Sequence, residues 1–348
     1  YTLTPTLLNQ LTLGYARSFS LSTPTVTRLP SELGITGVPT YTDGGSPQFN
    51  VTGRFALGSG GPVKFVSNVY QVQEHMNWIR NRHTFKFGFE YLDVGFFQSF
   101  LGPPQFSFNG QRTGGGTATR GDQMADFLLG AYQQVPVTNG VRVNDGANTF
   151  TALFLHDDFK VKPSLTLNLG LRWELPTPWV DKQDRINTVV LDPNVRSRKF
   201  PNAPLGMLFP GDLPRGLYET DKNNFAPRFG FAWDLFGDGR TAVRGAYGIF
   251  YDTFNTDTVA QENPPFNGGR RTFINGLLSN PFASVGAVAP PAYIDPAAFT
   301  FVFPISGFWS AVGQKSLRST YVQEWNLTIA RELGREYGVT VAYIGKTG

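Results

Sequence analysis

The sequence predicts an all-β fold, an antiparallel up-and-down transmembrane β-barrel, partial here, with about ten strands of a larger barrel. Three observations carry that expectation. The first is alternation. Leu165, Leu167, Leu169, Leu171, Trp173 and Leu175 fall on one face of residues 164–175, and Thr166, Asn168, Gly170, Arg172 and Glu174 on the other. Successive strand side chains point to opposite sides, so the segment has one apolar face and one polar, charged face. Residues 225–235 repeat the design: Phe225, Pro227, Phe229, Phe231, Trp233 and Leu235 alternate with Ala226, Arg228, Gly230, Ala232 and Asp234. The second is length. These segments run to roughly 11–15 residues, enough for a tilted strand to cross a bilayer and protrude, whereas soluble strands average about 5–6. The third is spacing. Short turns of about 2–4 residues alternate with inserts of roughly 40–60, against an ordinary median of about 4–6. Consecutive connections of an up-and-down sheet lie at opposite ends, so all short turns belong at one end and all inserts at the other. Outer-membrane barrels have that asymmetry, with short periplasmic turns and long extracellular loops.

Each element follows from the same pattern. In residues 7–19, Leu7, Leu11, Leu13, Tyr15 and Phe19 share a face, opposite Gln10, Thr12 and Ser18. Arg17 interrupts the apolar face near its end, where a long side chain snorkels to a headgroup. Residues 21–47 are rich in Pro, Gly and Thr and read as a loop. Residues 49–57 form a shorter strand, ended by Gly58–Pro62. Residues 66–78 and 83–97 pair across Arg80–Arg82: Phe85, Phe87, Phe89 and Tyr91 alternate with Lys86, Gly88 and Glu90. The first member is less regular, because Glu74 shares a face with Val72, Met76 and Trp78. The insert 101–146 holds GPPQFSFNG and TGGGTATRG, and within it DQMADFLLG (122–130) reads as a short helix or turn. Residues 149–161 and 164–176 pair across Lys162–Pro163. A polar, Pro-studded insert covers 179–223. Residues 224–236 and 240–254 pair through Gly237–Asp238–Gly239, a strong hairpin signal. The longest insert, 255–317, precedes a last pair, 319–331 and 337–344.

Composition fits and excludes. Charged residues are 16% of the 348, aromatics 14%, with 31 Phe and 13 Tyr. No run of eighteen apolar residues exists, which excludes a helical membrane protein, and mean hydropathy is only −0.19. A barrel hides its hydrophobicity in every second residue and passes for soluble on average. There is no cysteine, so disulfides, thiolate metal sites and cysteine nucleophiles are excluded. The net charge of +4 is mild and scattered, with no nucleic-acid footprint. The chain opens inside a strand at Tyr1 and ends at a turn, Gly348, without a signal peptide, and reads as an internal portion of a longer protein.

The candidate sites are modest. His156, Asp157 and Asp158 suggest a metal, but on a strand only His156 and Asp158 share a face, too few ligands. Rim polarity is the preferred reading. Lys86, Glu90, Arg172, Glu174, Arg228, Asp234 and Arg244 lie on polar faces and are the lumen-facing candidates, either a solute path or ordinary lumen residues paired with one another or with a plug. Trp173, Trp233, Tyr247, Tyr251, Trp325 and Tyr343 lie on apolar faces and are the membrane-interface aromatics. Asn263–Pro264–Pro265–Phe266 and Gly102–Pro103–Pro104 sit in long inserts, equally suited to binding or to variable decoration. The glycines of TGGGTATRG lack the flanking strand and helix of a nucleotide site. No spacing supports a catalytic set, so the expectation is a protein that is not an enzyme and uses no cofactor.

Several strings resemble one family. NNFAPRFGFAWDLFGDGRTAVRGAYGIFYD (223–252), HTFKFGFEY (83–91), FLHDDFKVKPSLTLNLGLRWE (154–174) and YVQEWNLTIARELG (321–334) resemble, in the same order, strands of Oar-like TonB-dependent receptors. The matches span most of residues 66–348, and they are distinctive as a set rather than singly. The resemblance implies that 1–348 is part of a barrel domain, commonly of twenty-two strands, filled by an N-terminal plug. It also implies a TonB box ahead of the plug and, often, a carboxypeptidase-regulatory-like sandwich, none of which this chain contains. The expected function is then an outer-membrane receptor/transporter that captures an extracellular ligand and passes it along the lumen, driven by TonB. A barrel-anchored adhesion or binding protein and a passive porin-like channel are the alternatives, with a soluble carbohydrate-binding β protein further behind. The expected partners are outer-membrane lipid, the TonB complex through the N-terminal region, and an unknown extracellular ligand, with no nucleic acid.

Overall fold

The structure, a computed structural model, describes residues 1–25, 27–36, 45–116, 121–138, 141–190, 192, 194–252, 266, 270–283, 317–334 and 336–348. Alternation builds most of it. In chain order the elements are β1 (Thr2–Thr4), β2 (Leu7–Ser22), a 3-10 turn η1 (Pro30–Leu33), β3 (Gln48–Val51), β4 (Phe55–Leu57), β5 (Val63–Arg80) and β6 (His83–Leu101). Then follow β7 (Gln105–Phe108), α1 (Gln123–Leu128), β8 (Gln134–Thr138), β9 (Val141–Lys162), β10 (Leu165–Pro176), β11 (Val180–Asp181), β12 (Thr188–Val189) and β13 (Met207–Leu208). The chain closes with β14 (Asn224–Asp234), β15 (Thr241–Tyr251), β16 (Arg270–Ile274), β17 (Tyr321–Leu333) and β18 (Tyr337–Thr347).

The long strands form one wall in the order β1-β2-β5-β6-β9-β10-β14-β15-β17-β18, every neighbour antiparallel, with β11 added against β9. Apart from the inserts, spatial order is sequence order, the mark of an up-and-down sheet. The wall does not close: β1 and β18 are its free edges. The turns at one end are tight and chemically specified. Asn81, between β5 and β6, takes φ 56°, a left-handed conformation that Asn tolerates. Between β14 and β15, Gly237 and Gly239 take φ 76° and 75°, and the Asp234 carboxylate accepts both of their N–H groups at 3.1 and 2.9 Å. A Cβ at either glycine would strain that turn.

The opposite end carries the inserts, and there the structure corrects the sequence reading. Residues 49–57 are not one strand beside the wall. They are β3 and β4, which join a separate five-stranded sheet, β16-β8-β7-β3-β4, with β3 and β7 parallel. Three inserts, far apart in sequence, thus share one sheet and one core: Val51, Phe106, Phe108, Tyr132, Val135 and Phe282 are all buried. Local propensity alone could not show this, because each insert contributes only short pieces. The helix at 123–128 forms as expected, with Asp122 as N-cap accepting from the Met124 and Ala125 N–H groups. The wall strands are also longer than the alternation suggested. β9 begins at Val141 rather than 149, since β6 runs on to Leu101 and pairs with it there.

Candidate functional site

The register fixes which side chains share the polar face of the wall. Glu90 lies opposite Gln73 and Ala152, Ala152 opposite Glu174, and Arg172 opposite Phe154 and Ala226. Arg172 therefore stands between two carboxylates. Its guanidinium reaches Glu90 at 2.9 Å and Glu174 at 2.6 Å, and Gln73 donates to the other oxygen of Glu90 at 2.9 Å. These three charges are less than one-fifth exposed (15–19%), so each needs the others. Toward the short-turn end lies a second group. Lys86 pairs with Asp158 at 2.9 Å, the same carboxylate accepts from Asn168, and His156 approaches it at 2.9 Å. Gly170 makes room here, since a Cβ would lie 2.9 Å from His156 Nδ1. Further along the wall Arg228 lies over the Phe250 ring, 5.0 Å from its centroid.

Of the expected lumen residues, Lys86, Glu90, Arg172 and Glu174 enter these networks. Arg228 and Arg244 share the same face further round, Arg244 exposed and opposite Ala232 and Thr328. Asp234 also lies on that face, but its carboxylate is used by the 237–239 turn. Sequence reasoning missed Gln73 and Asn168 as partners and missed that His156 and Asp158 belong with Lys86. The signal was present: strand period 2 puts all of them on one face once the β6–β9–β10 register is known. Asp157 points the other way, to His83 at 2.7 Å. Among the described residues no three histidine or carboxylate groups converge as metal ligands.

The six aromatics all fall on the opposite, apolar face, among exposed Leu153, Leu155, Leu169, Leu171, Leu327 and Val341. Greasy side chains that remain exposed define the face that meets lipid. Trp173 and Tyr251 lie toward the insert end and Trp233 toward the short-turn end, while Tyr247, Trp325 and Tyr343 form a mid-strand row.

Above the wall, the insert between β10 and β14 folds over the rim. A cleft of about 810 Å³ opens there, lined by Asp93, Asn148, Thr149, Tyr218, Asp221 and Arg318 among others. Arg318 pairs with Asp221 at 3.0 Å. Nearby, burial pushes the Tyr218 hydroxyl up to about 12, and burial does the same to Tyr132 in the five-stranded cap, also to about 12. Burial raises Asp212 as well, but the Ser197 hydroxyl and the N–H groups of Lys199, Arg198 and Phe209 together hold it below the ordinary carboxylate range. The Gly102–Pro104 stretch leads directly into the cap sheet, where the Pro104 carbonyl accepts from Gln48 N–H at 2.9 Å. Asn263–Pro265, most of the 255–317 insert and Thr117–Arg120 lie outside the described residues.

A one-sided apolar wall of long antiparallel strands, tight turns at one end and folded inserts at the other define an outer-membrane β-barrel. The chain belongs to the outer membrane beta barrel domain family, whose model matches residues 1–348, and it is a protein of the bacterial outer membrane. Among solved structures, the chain is similar to the outer membrane transporter YddB from Escherichia coli, at 11% identity and a TM-score of 0.48, over 99% of this chain and 32% of that one. The chain therefore spans about a third of that transporter's length. No curated protein matches the sequence.

Proposed function

We propose that this chain is part of the barrel of a TonB-dependent outer-membrane receptor/transporter of the Oar-like kind. The inserts capture an extracellular ligand, and the polar wall passes it inward once a plug rearranges. The observation that carries the reading is the pairing of an ion-paired, hydrogen-bonded lumen face with a folded cap at the insert end. Family membership supports the barrel, and the ordered series of resembling strings supports the TonB-dependent kind. The buried core of the cap also favours a second reading, a barrel-anchored surface binder that transports nothing. One experiment separates the readings. Cells making the complete protein are tested for uptake of a labelled ligand library, with and without a protonophore that collapses the inner-membrane gradient. Energised transport predicts uptake that the protonophore abolishes. Protonophore-insensitive uptake with measurable ion conductance would indicate a passive pore, and surface binding without entry would indicate the binder.

A further inference from the structure

We propose that the lipid-facing side of β2 and β5 docks a second copy of this chain within the bilayer, around Asn9 and Glu74. Register places Glu74 on the apolar face, opposite Leu11 on β2 and Phe89 on β6, with Val72 and Met76 beside it. Trp78 and Tyr70 mark the two ends of the apolar band on this strand, and Tyr70 meets Tyr15 ring to ring at 4.9 Å. Glu74 stands midway, roughly 13 Å along the strand from each at about 3.3 Å per residue. The other charges on this face lie at or beyond the aromatic limits of the band: Asp93 is paired opposite Tyr70, midway along β6, and Arg17 stands opposite Asn68, one step past Tyr15. Asp157 with His83 is level with the short turns, Asp145 with Lys182 is at the insert end, and Arg331 is beside Phe236 at the turn. Among the described residues, Glu74 is the charged group at mid-depth on the lipid side.

A carboxyl at mid-depth in hydrocarbon is costly, and intramembrane ionisable groups almost always meet a partner. The partner within the chain is Asn9, whose amide donates to Glu74 Oε1 and places its nitrogen 3.0 Å from the Met76 sulfur. That arrangement leaves Glu74 Oε2 and Asn9 Oδ1 to be satisfied, and it directs one amide N–H to a thioether, a weak acceptor. A side-chain amide is self-complementary, being both donor and acceptor. Across a two-fold axis, Asn9 of one copy gives the N–H now at sulfur to Oδ1 of the other Asn9, and receives the same in return. The same patch contacts itself, as an isologous dimer requires, and polar side chains hold transmembrane segments together in this way. Leu11 and Leu13, both exposed, supply the apolar surround. A strand added at the free edge of the wall, beside β1, would lengthen the wall sideways and leave this face uncovered.

The chain contains no cysteine, so single cysteines report the contact directly in the complete protein in outer membranes. Leu11→Cys should form a symmetric disulfide dimer on oxidation, because a two-fold axis at Asn9 sets Leu11, the next residue on the same face, against its own copy. Leu171→Cys, on the far part of the same face, should not. Adding Asn9→Leu and Glu74→Leu to Leu11→Cys should lower the dimer at least about tenfold, with the folded, heat-modifiable band retained. Glu74→Gln, which keeps hydrogen-bonding capacity, should preserve the dimer and guards against a folding artefact. Equal linking at Leu171, linking that survives loss of the polar pair, adducts only with another protein, or no dimer at Leu11→Cys would each overturn the proposal.

Discussion

The wall and the cap use the same apolar residues for different solvents. In the wall, Leu13, Leu155 and Val341 are 72%, 54% and 65% exposed, while in the cap Phe106, Phe108 and Tyr132 are 0% exposed. Alternation in the wall repeats over most of each strand, interrupted on β2 and β5 by Asn9, Arg17 and Glu74, because lipid takes up one face where the strands cross the bilayer. In the cap, strands of three to five residues must borrow neighbours from other inserts to bury anything. The wall depends on the bilayer for burial of its apolar face, whereas the cap carries a core of its own. The inserts are thus a folded unit mounted on the barrel, tied across distant strands, and not independent loops.

The comparison breaks if the cap and the wall unfold together. Phe106→Ala removes a fully buried ring that touches Phe49 and Tyr132, a class of change that costs about 3–5 kcal/mol. The expected outcome is rapid proteolysis within the inserts on intact cells, while the wall keeps its heat-modifiable migration in detergent gels. Loss of both at once would show that the cap is part of the wall's cooperative unit. The wall has its own counterpart. Arg172→Leu leaves Glu90 and Glu174 facing each other without their cation, and should cost roughly 2–4 kcal/mol, since removing one partner strands the charges left behind. Denaturant unfolding in detergent should show it as a lower midpoint, with cap protease resistance unchanged. An unchanged midpoint would mean that water in the lumen, and not Arg172, satisfies the carboxylates.

How much of this was legible in the sequence divides along the same line. Residues 164–175 declare their two faces without help, and Gly237–Asp238–Gly239 declares its turn, because strand period and turn chemistry are local. The polar face was legible as a face, but not as pairs. That Arg172 serves Glu90, 82 positions away, depends on the β6–β9–β10 register, which no single strand encodes. The cap was illegible for the same reason in stronger form. Phe49 stacks on Phe106 at 5.7 Å, and Tyr132 donates to the Pro281 carbonyl, contacts that join three inserts with no repeat between them. Asp234 shows the converse: its strand position was read correctly, yet its chemistry belongs to the turn.

The smallest effect tests whether the cap and rim titrate apart from the wall. Tyr132 and Tyr218 have hydroxyls raised to about 12 by burial, against about 10 in an unfolded chain. A folded-state pKa raised above its unfolded value gives stability that is fully present below about pH 10 and is lost as pH rises toward about 12. By about pH 11 the loss is on the order of 1 kcal/mol for each tyrosine. Asp212 has the opposite sign. Its carboxyl is held low, so its contribution is complete above the ordinary carboxylate range of about 4 and is lost as pH falls below it. Protease sensitivity of the inserts should therefore rise at both extremes, with the alkaline arm weakened in Tyr132→Phe, which removes the titrating group and keeps the ring. An alkaline arm unchanged in Tyr132→Phe and Tyr218→Phe together would place that transition in the wall, and the two regions would then share one unfolding event.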